Sequence, residues 1–397
     1  MMTMIPLSNM FVARSVSGRR LASFRMPLAF HPEIAHSSLV FVDEVRRFIQ
    51  DCLSRVGVPS IKLRCISDFL VAADYRGIYG SGLNRLEIYL NDLHHRYVRI
   101  DADPVVISET PVVAHVSGNG ALGVIVGNFC MDLAVEKARR SGLGLVVAKQ
   151  SQHFGMAAWY AFRAMSNGFA GLVLSNAAPL MVPPGSQESV MGANCLAFGV
   201  KGKNTHFMLD MATSAKDIGS IEWAFMKNDY IPHNWAADEC GVSTCFPSLA
   251  LSAQRLFPAG DHKGFCLAAL IDVLCGVMSG SNYATRIPRW NVECQQGNPN
   301  LGQIFLALDP CYFIPDFMER LDDFNSRIKN SRPKDKMHPI RLPGELEKLH
   351  MDYVDDLRAL PYPNILLAKY KVIADMLCVK PIQLAFGSCP ARKKCFT

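Results

Sequence analysis

Residues 144–155 read GLVVAKQSQHFG, a short apolar run that ends in a polar cluster containing His153. The same order recurs at 170–179 and at 206–214, where apolar runs lead into polar stretches that include Asn176 and Asp210. Polar side chains that follow a buried strand reach the crevice at the end of a sheet, while the strand holds them rigid. The three stretches therefore predict strands of one sheet with chemistry at their ends. Within this set, His153 is the group that can exchange a proton near neutral pH.

Around these runs, short strands alternate with helices from about residue 111 to 310, a pattern typical of layered α/β folds. Helical periodicity dominates residues 38–98 and returns after Pro315. We therefore predict a mixed α/β fold with an α/β lobe and a helical lobe built from N- and C-terminal segments. The predicted divisions are a leader over 1–36, the helical lobe over 37–107, the α/β lobe over 108–312, C-terminal helices packing on the helical lobe over 313–378, and a basic tail over 379–397.

The net charge of +6 comes from the two ends of the 397-residue chain. Residues 1–36 and 376–397 each carry four basic groups against a single acid in all, which leaves 33 basic and 34 acidic groups between them. A near-neutral body offers no basic stripe for nucleic acid. The longest apolar candidate for a membrane span, Phe265–Met278, contains Asp272. We therefore expect neither a nucleic-acid partner nor a membrane partner.

The thirteen cysteines are scattered through apolar contexts, with an odd count and no CxxC pair. This usage is typical of buried, reduced thiols in a reducing compartment. Cys240, Cys245 and His233 resemble half of a zinc site, but the second ligand pair is missing. Solvated loop residues are the better interpretation, and we predict no metal.

The first 26 residues contain Arg14, Arg19, Arg20 and Arg25, several serines and no acid. This is the composition of a mitochondrial transit peptide. The alternative is an extension that carries no targeting signal. The predicted location is the mitochondrial matrix, with the cytoplasm as the alternative.

Residues 118–123 satisfy GxGxxG between a predicted strand and a predicted helix, which in isolation suggests a Rossmann dinucleotide site. The acid that should end the next strand is absent, since Ala148 is followed by Lys149 and Gln150. A structural turn is therefore the better interpretation of these glycines.

Four other residues have a chemical and a structural interpretation. His153 is either an acid/base group or a hydrogen-bonded histidine at a helix start. Asp210 either caps the next helix at Thr213, which spacing favours, or holds a ribose hydroxyl or an imidazole. Lys263 opens a long apolar helix, where a cation makes most sense beside a bound anion, although it can also pair with a neighbouring acid. Arg85 either binds a substrate carboxylate with its guanidinium fork or lies on a helix surface.

These segments fall in a fixed order with several others: Ala73-Asp74-Tyr75-Arg76-Gly77, Arg85-Leu86-Glu87-Ile88-Tyr89, Ser151-Gln152-His153-Phe154-Gly155, Leu209-Asp210-Met211-Ala212-Thr213, Lys263-Gly264 and Leu342-Pro343-Gly344-Glu345. Together they resemble the malate/L-lactate dehydrogenase family, whose relatives include ureidoglycolate, sulfolactate and diketogulonate oxidoreductases, over roughly residues 38–378. This family is distinct from the classical lactate dehydrogenases.

The resemblance implies a non-Rossmann site for NAD or NADP in the α/β lobe, a small 2-hydroxy or 2-keto acid as substrate, and a homodimer. It implies that His153 accepts the substrate proton, that Arg85 binds the carboxylate and that Tyr89 lies nearby. The family's cofactor-contact segments match Asn176, Asp210, Met211, Ala212, His262, Lys263, Gly344 and Glu345.

The sequence departs from the family pattern at the glycine-rich turn, where Ser81 stands in place of a histidine that acts in proton donation. A serine hydroxyl is a far weaker acid, although it can hydrogen-bond a substrate. The usual Gly-Thr-Asn-Pro is also altered, to Gly192-Ala193-Asn194-Cys195. We therefore expect an oxidoreductase of the malate or L-lactate type with Ser81 in its catalytic site. The alternative is a catalytically degenerate member with a structural or regulatory role.

Overall fold

The structure is a computed structural model that describes residues 37–289, 297–334 and 339–385. The predicted leader and the end of the basic tail lie outside the described residues. The strands, in chain order, are β1 (Ser37–Val40), β2 (Val105–Glu109), β3 (Val113–Ser117), β4 (Leu143–Ser151), β5 (Ala170–Ser175), β6 (Pro179–Met181), β7 (Met191–Gly192), β8 (Cys195–Lys201), β9 (His206–Ala212), β10 (Ala236–Ala237), β11 (Arg255–Leu256), β12 (Leu301–Leu308) and β13 (Leu360–Pro363). The α-helices are α1 (Val42–Arg55), α2 (Ser60–Tyr75), α3 (Leu86–His94), α4 (Gly123–Ser141), α5 (Ala158–Ser166), α6 (Ile218–Met226), α7 (Pro247–Ala253), α8 (His262–Asp272), α9 (Phe317–Lys329), α10 (Glu345–Leu357) and α11 (Asn364–Leu377).

A seven-stranded mixed sheet in the order β2-β3-β4-β12-β5-β8-β9 forms the centre of the α/β part. β3 and β4 are parallel, and the other neighbours pair antiparallel. β12, distant in sequence, lies between β4 and β5, so these two strands run in the same direction. Their downstream ends, which carry His153 and Asn176, therefore meet at one edge of the sheet, as the sequence predicts.

Helices cover both faces of this sheet. α4 packs on β4 and β12, and α5 packs on β5 and β8. The backbone of α4 comes so close that a Cβ on Gly144 would lie 1.9 Å from the Ala134 carbonyl oxygen, which explains a glycine inside a strand. On the other face, Ile271 of α8 and Cys275 of the π-helical turn that follows it pack against Leu174 of β5 and Ile304 of β12.

The N- and C-terminal segments meet in the helical part. β1 pairs antiparallel with β13, which places the start of the described chain beside residues 360–363. α11 packs on α1, and α10 packs on α2. α9 differs from the prediction for residues 313–378, because it lies against β9 instead. The carboxylate of Asp322 on α9 accepts hydrogen bonds from the backbone N–H groups of Asn204 and Thr205 in the loop before β9, which fixes the helix there.

The helix predicted after the GxGxxG stretch is α4, which begins at Gly123 and so takes in the last glycine of the stretch. A small four-stranded sheet, β10-β11-β6-β7, and the helices α6 and α7 beside it were not predicted. Within the described ranges, no helix combines the length and apolar character needed to cross a membrane.

Candidate active site

A cavity of about 420 Å³ lies between the turn that precedes α3, the downstream ends of β4, β5 and β9, and helix α6. Five of the predicted site residues line it: Ser81, Arg85, His153, Asn176 and Ala212. They come from four separate parts of the sequence, so it is the sheet order that brings them together. The cavity is the candidate active site.

The turn that carries Ser81 is built from glycines because other chain segments approach it closely. A Cβ on Gly80 would lie 2.8 Å from the Cα of Gly219 at the start of α6, and a Cβ on Gly82 would overlap the Asp74 carboxylate. Asp74, near the end of α2, fixes the turn. Its carboxylate accepts hydrogen bonds from the Leu83 backbone N–H (2.9 Å) and from the Tyr362 hydroxyl (2.6 Å). Complete burial raises the pKa of Asp74 to about 7, although both hydrogen bonds favour the ionised form.

Arg85 points into the cavity and is held by a carboxylate of the protein itself. Its side chain is 5% exposed, and its two terminal nitrogens face the two carboxylate oxygens of Glu222 on α6, at 3.1 and 2.8 Å. Asn84 donates a further hydrogen bond of 2.7 Å to the same carboxylate. Burial opposes the charge of Arg85, but Glu222 outweighs it and raises the pKa of the guanidinium. The predicted carboxylate-binding arginine is therefore in place and already carries one carboxylate.

His153 is anchored by Tyr89, whose hydroxyl lies 2.8 Å from its Nδ1. Tyr89 is buried on α3, one turn after Arg85, and it does not line the cavity. Burial, and then the positive charge of Arg85, lower the pKa of His153 to about 3, so its imidazole is neutral at pH 7. The ring nitrogen that faces Tyr89 is Nδ1.

Asn176 lines the cavity, but its amide group is committed to the backbone. Its nitrogen donates to the Asn282 carbonyl oxygen at 2.8 Å, and its oxygen accepts from the Gly302 N–H at 3.0 Å. Asn194, retained from the altered Gly-Thr-Asn-Pro segment, similarly ties the Ala177 N–H to the Ala268 carbonyl of α8. These two amides fix the wall of the cavity between β5 and α8.

Four predicted cofactor-contact residues lie behind or beyond the cavity wall. Asp210 accepts a 2.9 Å hydrogen bond from the Ala158 N–H, so it caps α5 and not a helix at Thr213. Its position on β9 explains this, because α5 packs on that strand. Burial raises the pKa of Asp210 to about 7. Met211 follows Asp210 on β9. Gly344 packs on Met208, and the Glu345 carboxylate forms an ion pair with Lys329 at 2.7 Å.

His262 and Lys263 lie exposed in the first turn of α8, outside the cavity lining. This turn is tied to the cavity wall, because the Ala259 N–H donates to the Thr213 carbonyl oxygen, directly after Ala212. A Cβ on Gly264 would lie 2.3 Å from the Ala259 carbonyl oxygen, so the helix start and the preceding loop form a tight cradle. A helix N-terminus with an exposed lysine suits a phosphate group. In the described part of the chain, no cluster of His, Cys, Asp and Glu suits a metal ion.

The GxGxxG stretch has a packing role, as its structural interpretation predicts. A Cβ on Gly123 would lie 2.4 Å from the His153 carbonyl oxygen, and a Cβ on Gly118 would lie 2.8 Å from the Gln150 carbonyl oxygen. The start of α4 is therefore packed against the backbone at the end of β4. These two glycines allow the chain to approach the His153 segment closely.

Seven polar side chains that line the cavity were not named as site residues by sequence analysis: Asn84, Glu87, Ser175, Asp217, Glu222, Gln254 and Lys369. Glu222 is 137 residues from Arg85, and the helix that carries it was not predicted. Lys369 on α11 forms an ion pair with Glu87 on α3. Asn84 and Glu87 lie within two residues of Arg85. Examining the neighbours of Arg85 at the start of α3 would therefore have identified both of them.

Comparison with known proteins agrees with this arrangement. A model of the malate/L-lactate dehydrogenase family matches residues 40–356. The malate dehydrogenase of Pyrococcus abyssi is 32% identical over 319 residues, which cover 78% of this chain and 87% of that protein. The NAD(+) ureidoglycolate dehydrogenase of Escherichia coli K12 is 26% identical over 306 residues, covering 76% and 86%. The solved structure of Pyrococcus horikoshii malate dehydrogenase superposes with a TM-score of 0.78 at 30% identity, covering 87% of this chain and 97% of that chain. The chain therefore belongs to the malate/L-lactate dehydrogenase family.

Proposed function

We propose that this oxidoreductase transfers a hydride between a nicotinamide cofactor and C2 of a small 2-hydroxy or 2-oxo acid of the malate or L-lactate type. The observation that carries the proposal is the convergence of His153, Arg85 and Ser81 in one cavity. A proton acceptor beside a carboxylate-binding cation is what oxidation of a 2-hydroxy acid needs. The relatives named above are themselves called malate and ureidoglycolate dehydrogenases.

His153 takes the hydroxyl proton in this reaction. For Nε2 to accept it, Nδ1 must carry the ring hydrogen and donate it to the Tyr89 phenol oxygen, 2.8 Å away. In this tautomer Tyr89 accepts the ring hydrogen, and the contact fixes the plane of the ring. The lowered pKa keeps the ring neutral and ready to accept a proton at pH 7. Positioned acid–base catalysis of this kind contributes about 10²–10⁴ in rate.

Arg85 orients the carboxylate of the substrate. Both terminal nitrogens of its guanidinium face Glu222. A substrate carboxylate would therefore bind by sharing these donors with Glu222 or by displacing it. Ser81, half-buried at the cavity wall, can donate a hydrogen bond to the C2 oxygen of the substrate.

The described residues fit a nicotinamide dinucleotide, NAD or NADP. The small side chains of Ala177, Ala193 and Ala212 leave room along one wall for a flat ring, and the α8 cradle with Lys263 suits a phosphate. When bound, the nicotinamide ring supplies the hydride acceptor or donor. The contribution of the protein is to hold the substrate C2 and its proton acceptor on one side of that ring.

The catalytically degenerate alternative depends on Ser81. Its test is the variant Ser81→His, which restores the family residue at a half-buried position. A degenerate protein gains turnover in this variant from a low baseline. A competent enzyme that uses Ser81 as a hydrogen-bond donor gains nothing.

The test of the main proposal is a panel of 2-oxo acids with NADH and with NADPH, compared between the natural chain and His153→Gln. We expect turnover in the natural chain and a loss of at least 100-fold in the variant. Cofactor binding, followed by nicotinamide fluorescence, should be unchanged because His153 contacts Tyr89 and not the α8 cradle. Equal turnover in both proteins would refute the assignment of His153.

We also propose that the protein is a homodimer and that it acts in the mitochondrial matrix. Exposed apolar side chains follow one another along the end of α8 and the turn after it, at Leu270, Val273, Val277 and Met278, and support a subunit interface. Light scattering with Val277→Glu tests the dimer.

The proposed mitochondrial location rests on the arginine-rich residues 1–26, and an import assay with and without these residues tests it.

A further inference from the structure

We propose that Glu222 determines substrate specificity, favouring 2-hydroxy and 2-oxo acids with one carboxylate and an uncharged far end over dicarboxylic acids. This inference rests on the proposed function and names the class of substrate for the same cavity. It follows from three features: the hold on Glu222, the charges around it and the character of the remaining wall.

Glu222 is fixed in the cavity and is not a side chain that reaches Arg85 by chance. Its two oxygens accept hydrogen bonds from Asn84 and from one terminal nitrogen of Arg85, and the other terminal nitrogen forms an ion-pair contact of 2.8 Å. The helix that carries it is anchored one residue later, where Trp223 stacks on Tyr79 with ring centroids 4.2 Å apart and planes 7° from parallel.

The backbone of α6 also packs directly against the turn that carries Ser81. The Gly80 and Gly219 backbones approach so closely that a Cβ on Gly219 would lie 2.4 Å from the Gly80 Cα and 2.8 Å from an Arg85 terminal nitrogen. α6 is therefore seated directly on the turn that carries Ser81. Glu222 cannot leave Arg85 without losing two hydrogen bonds and an ion-pair contact, or moving this helix.

The charges that line the cavity leave no surplus of positive charge for a second carboxylate. Its guanidinium and ammonium groups, among the described lining residues, belong to Arg85 and Lys369, and each forms an ion pair, with Glu222 and with Glu87. Asp217 adds a third carboxylate, held by the backbone N–H and hydroxyl of Ser220 at 2.9 and 2.6 Å. With His153 neutral, the lining carries a net charge of −1.

This balance separates the two classes of acid. The single carboxylate of a 2-oxo monocarboxylic acid can share the Arg85 donors. A 2-oxo dicarboxylic acid brings a second negative charge within a few ångströms of Glu222 and Asp217, where repulsion is only weakly screened. A group of apolar side chains in the wall suits an uncharged substrate side chain: Ile218, Phe225, Met226, Leu251, Ile365 and Leu366.

The test compares oxaloacetate with pyruvate, using kcat/KM for each in the natural chain and in Glu222→Gln. The variant keeps the size and the acceptor oxygen of the side chain and removes its charge. We expect the natural chain to prefer pyruvate, and the oxaloacetate-to-pyruvate ratio to rise at least tenfold in Glu222→Gln. Because the ratio is taken within one protein, a general loss of activity cancels. Glu136→Gln, which removes an exposed glutamate paired with Arg140 on α4, is the matched control and should leave the ratio unchanged.

A binding measurement makes the result independent of turnover. Calorimetric titration with NADH present should show that the natural chain binds oxamate, a monocarboxylate, more tightly than tartronate, a dicarboxylate. The ratio of the two dissociation constants should fall at least tenfold in Glu222→Gln. Ratios that agree within twofold between the two proteins, in both measurements, overturn the inference. A natural chain that binds these ligands but turns over no 2-oxo acid refutes the proposed function, and the binding ratio still decides the role of Glu222.

Discussion

Tyr89 can either bind the substrate or position His153, and removing its hydrogen bond to His153 distinguishes these two roles. The family resemblance places Tyr89 near the substrate, whereas the structure places its hydroxyl on His153 Nδ1 and its side chain outside the cavity lining. Tyr89→Phe removes this oxygen and leaves the ring in its packing. A residue that positions His153 should affect kcat, and a residue that binds substrate should affect KM.

The expected magnitude follows from the geometry. The bond is 2.8 Å long and joins the buried Tyr89 to the half-buried His153, so its loss removes about 1 kcal/mol of net hydrogen bonding and leaves the ring nitrogen without this partner. We expect the free energy of unfolding to fall by about 1–3 kcal/mol. We expect kcat to fall by roughly tenfold or more, because the ring plane of His153 is no longer fixed, with KM changed less than threefold.

Steady-state kinetics with the best 2-oxo acid and urea unfolding measure these two effects on the same samples. Tyr230→Phe, at an exposed tyrosine after α6, is the control and should behave as the natural chain. A variant with an unchanged kcat and a KM raised tenfold would show that Tyr89 binds substrate. Unchanged values of both would remove Tyr89 from the site.

Two further outcomes test the cradle and the buried acid below the Ser81 turn. Lys263→Ala should weaken NADH binding about tenfold, measured by fluorescence. The thermal midpoint of unfolding should change little, because Lys263 is exposed. Unchanged binding would place the cofactor phosphates elsewhere. Burial raises the pKa of Asp74 to about 7, so its contribution to stability is present at low pH and is lost as the pH rises through 7. Asp74→Asn should therefore gain about 2 kcal/mol in unfolding free energy relative to the natural chain between pH 5 and 8, and a difference that does not vary with pH would contradict this assignment.

The sequence was sufficient to predict the sheet edge because its signals are local. Each of β4, β5 and β9 shows an apolar run and a polar end within about ten residues, so His153, Asn176 and Ala212 could be assigned to one edge. The packing role of Gly118 and Gly123 was also predictable, from the missing acid after β4. Residue types and short spacing carried all of this information.

The partners of Arg85 and His153 could not be predicted in the same way. Glu222 reaches Arg85 through the contact of two glycines, Gly80 and Gly219, and neither glycine has a local signal for that contact. Tyr89 meets His153 across 64 positions of sequence because α3 lies beside the end of β4. Asp210 caps α5 instead of a helix near it in sequence, since the face of β9 that it occupies is covered by α5.

The lowered pKa of His153 gives the two directions of the reaction different pH dependences. In the free enzyme the pKa lies at about 3, so His153 is already neutral throughout pH 5–8. Oxidation of a 2-hydroxy acid needs the neutral ring, and its kcat/KM should be flat on the acid side down to pH 5. Reduction of a 2-oxo acid needs the protonated ring, and its kcat/KM should fall about tenfold for each unit of rising pH across this range.

A histidine in water would behave differently, with an inflection near pH 6.5 in both directions. Because kcat/KM reports the free enzyme, the measurement tests the burial of His153 and its proximity to Arg85 before substrate binds. Profiles of both directions with one acid pair, recorded at constant ionic strength, are sufficient. An inflection near 6.5 would mean that water or an acidic group reaches His153, and the strongly lowered pKa of its imidazole would have to be abandoned.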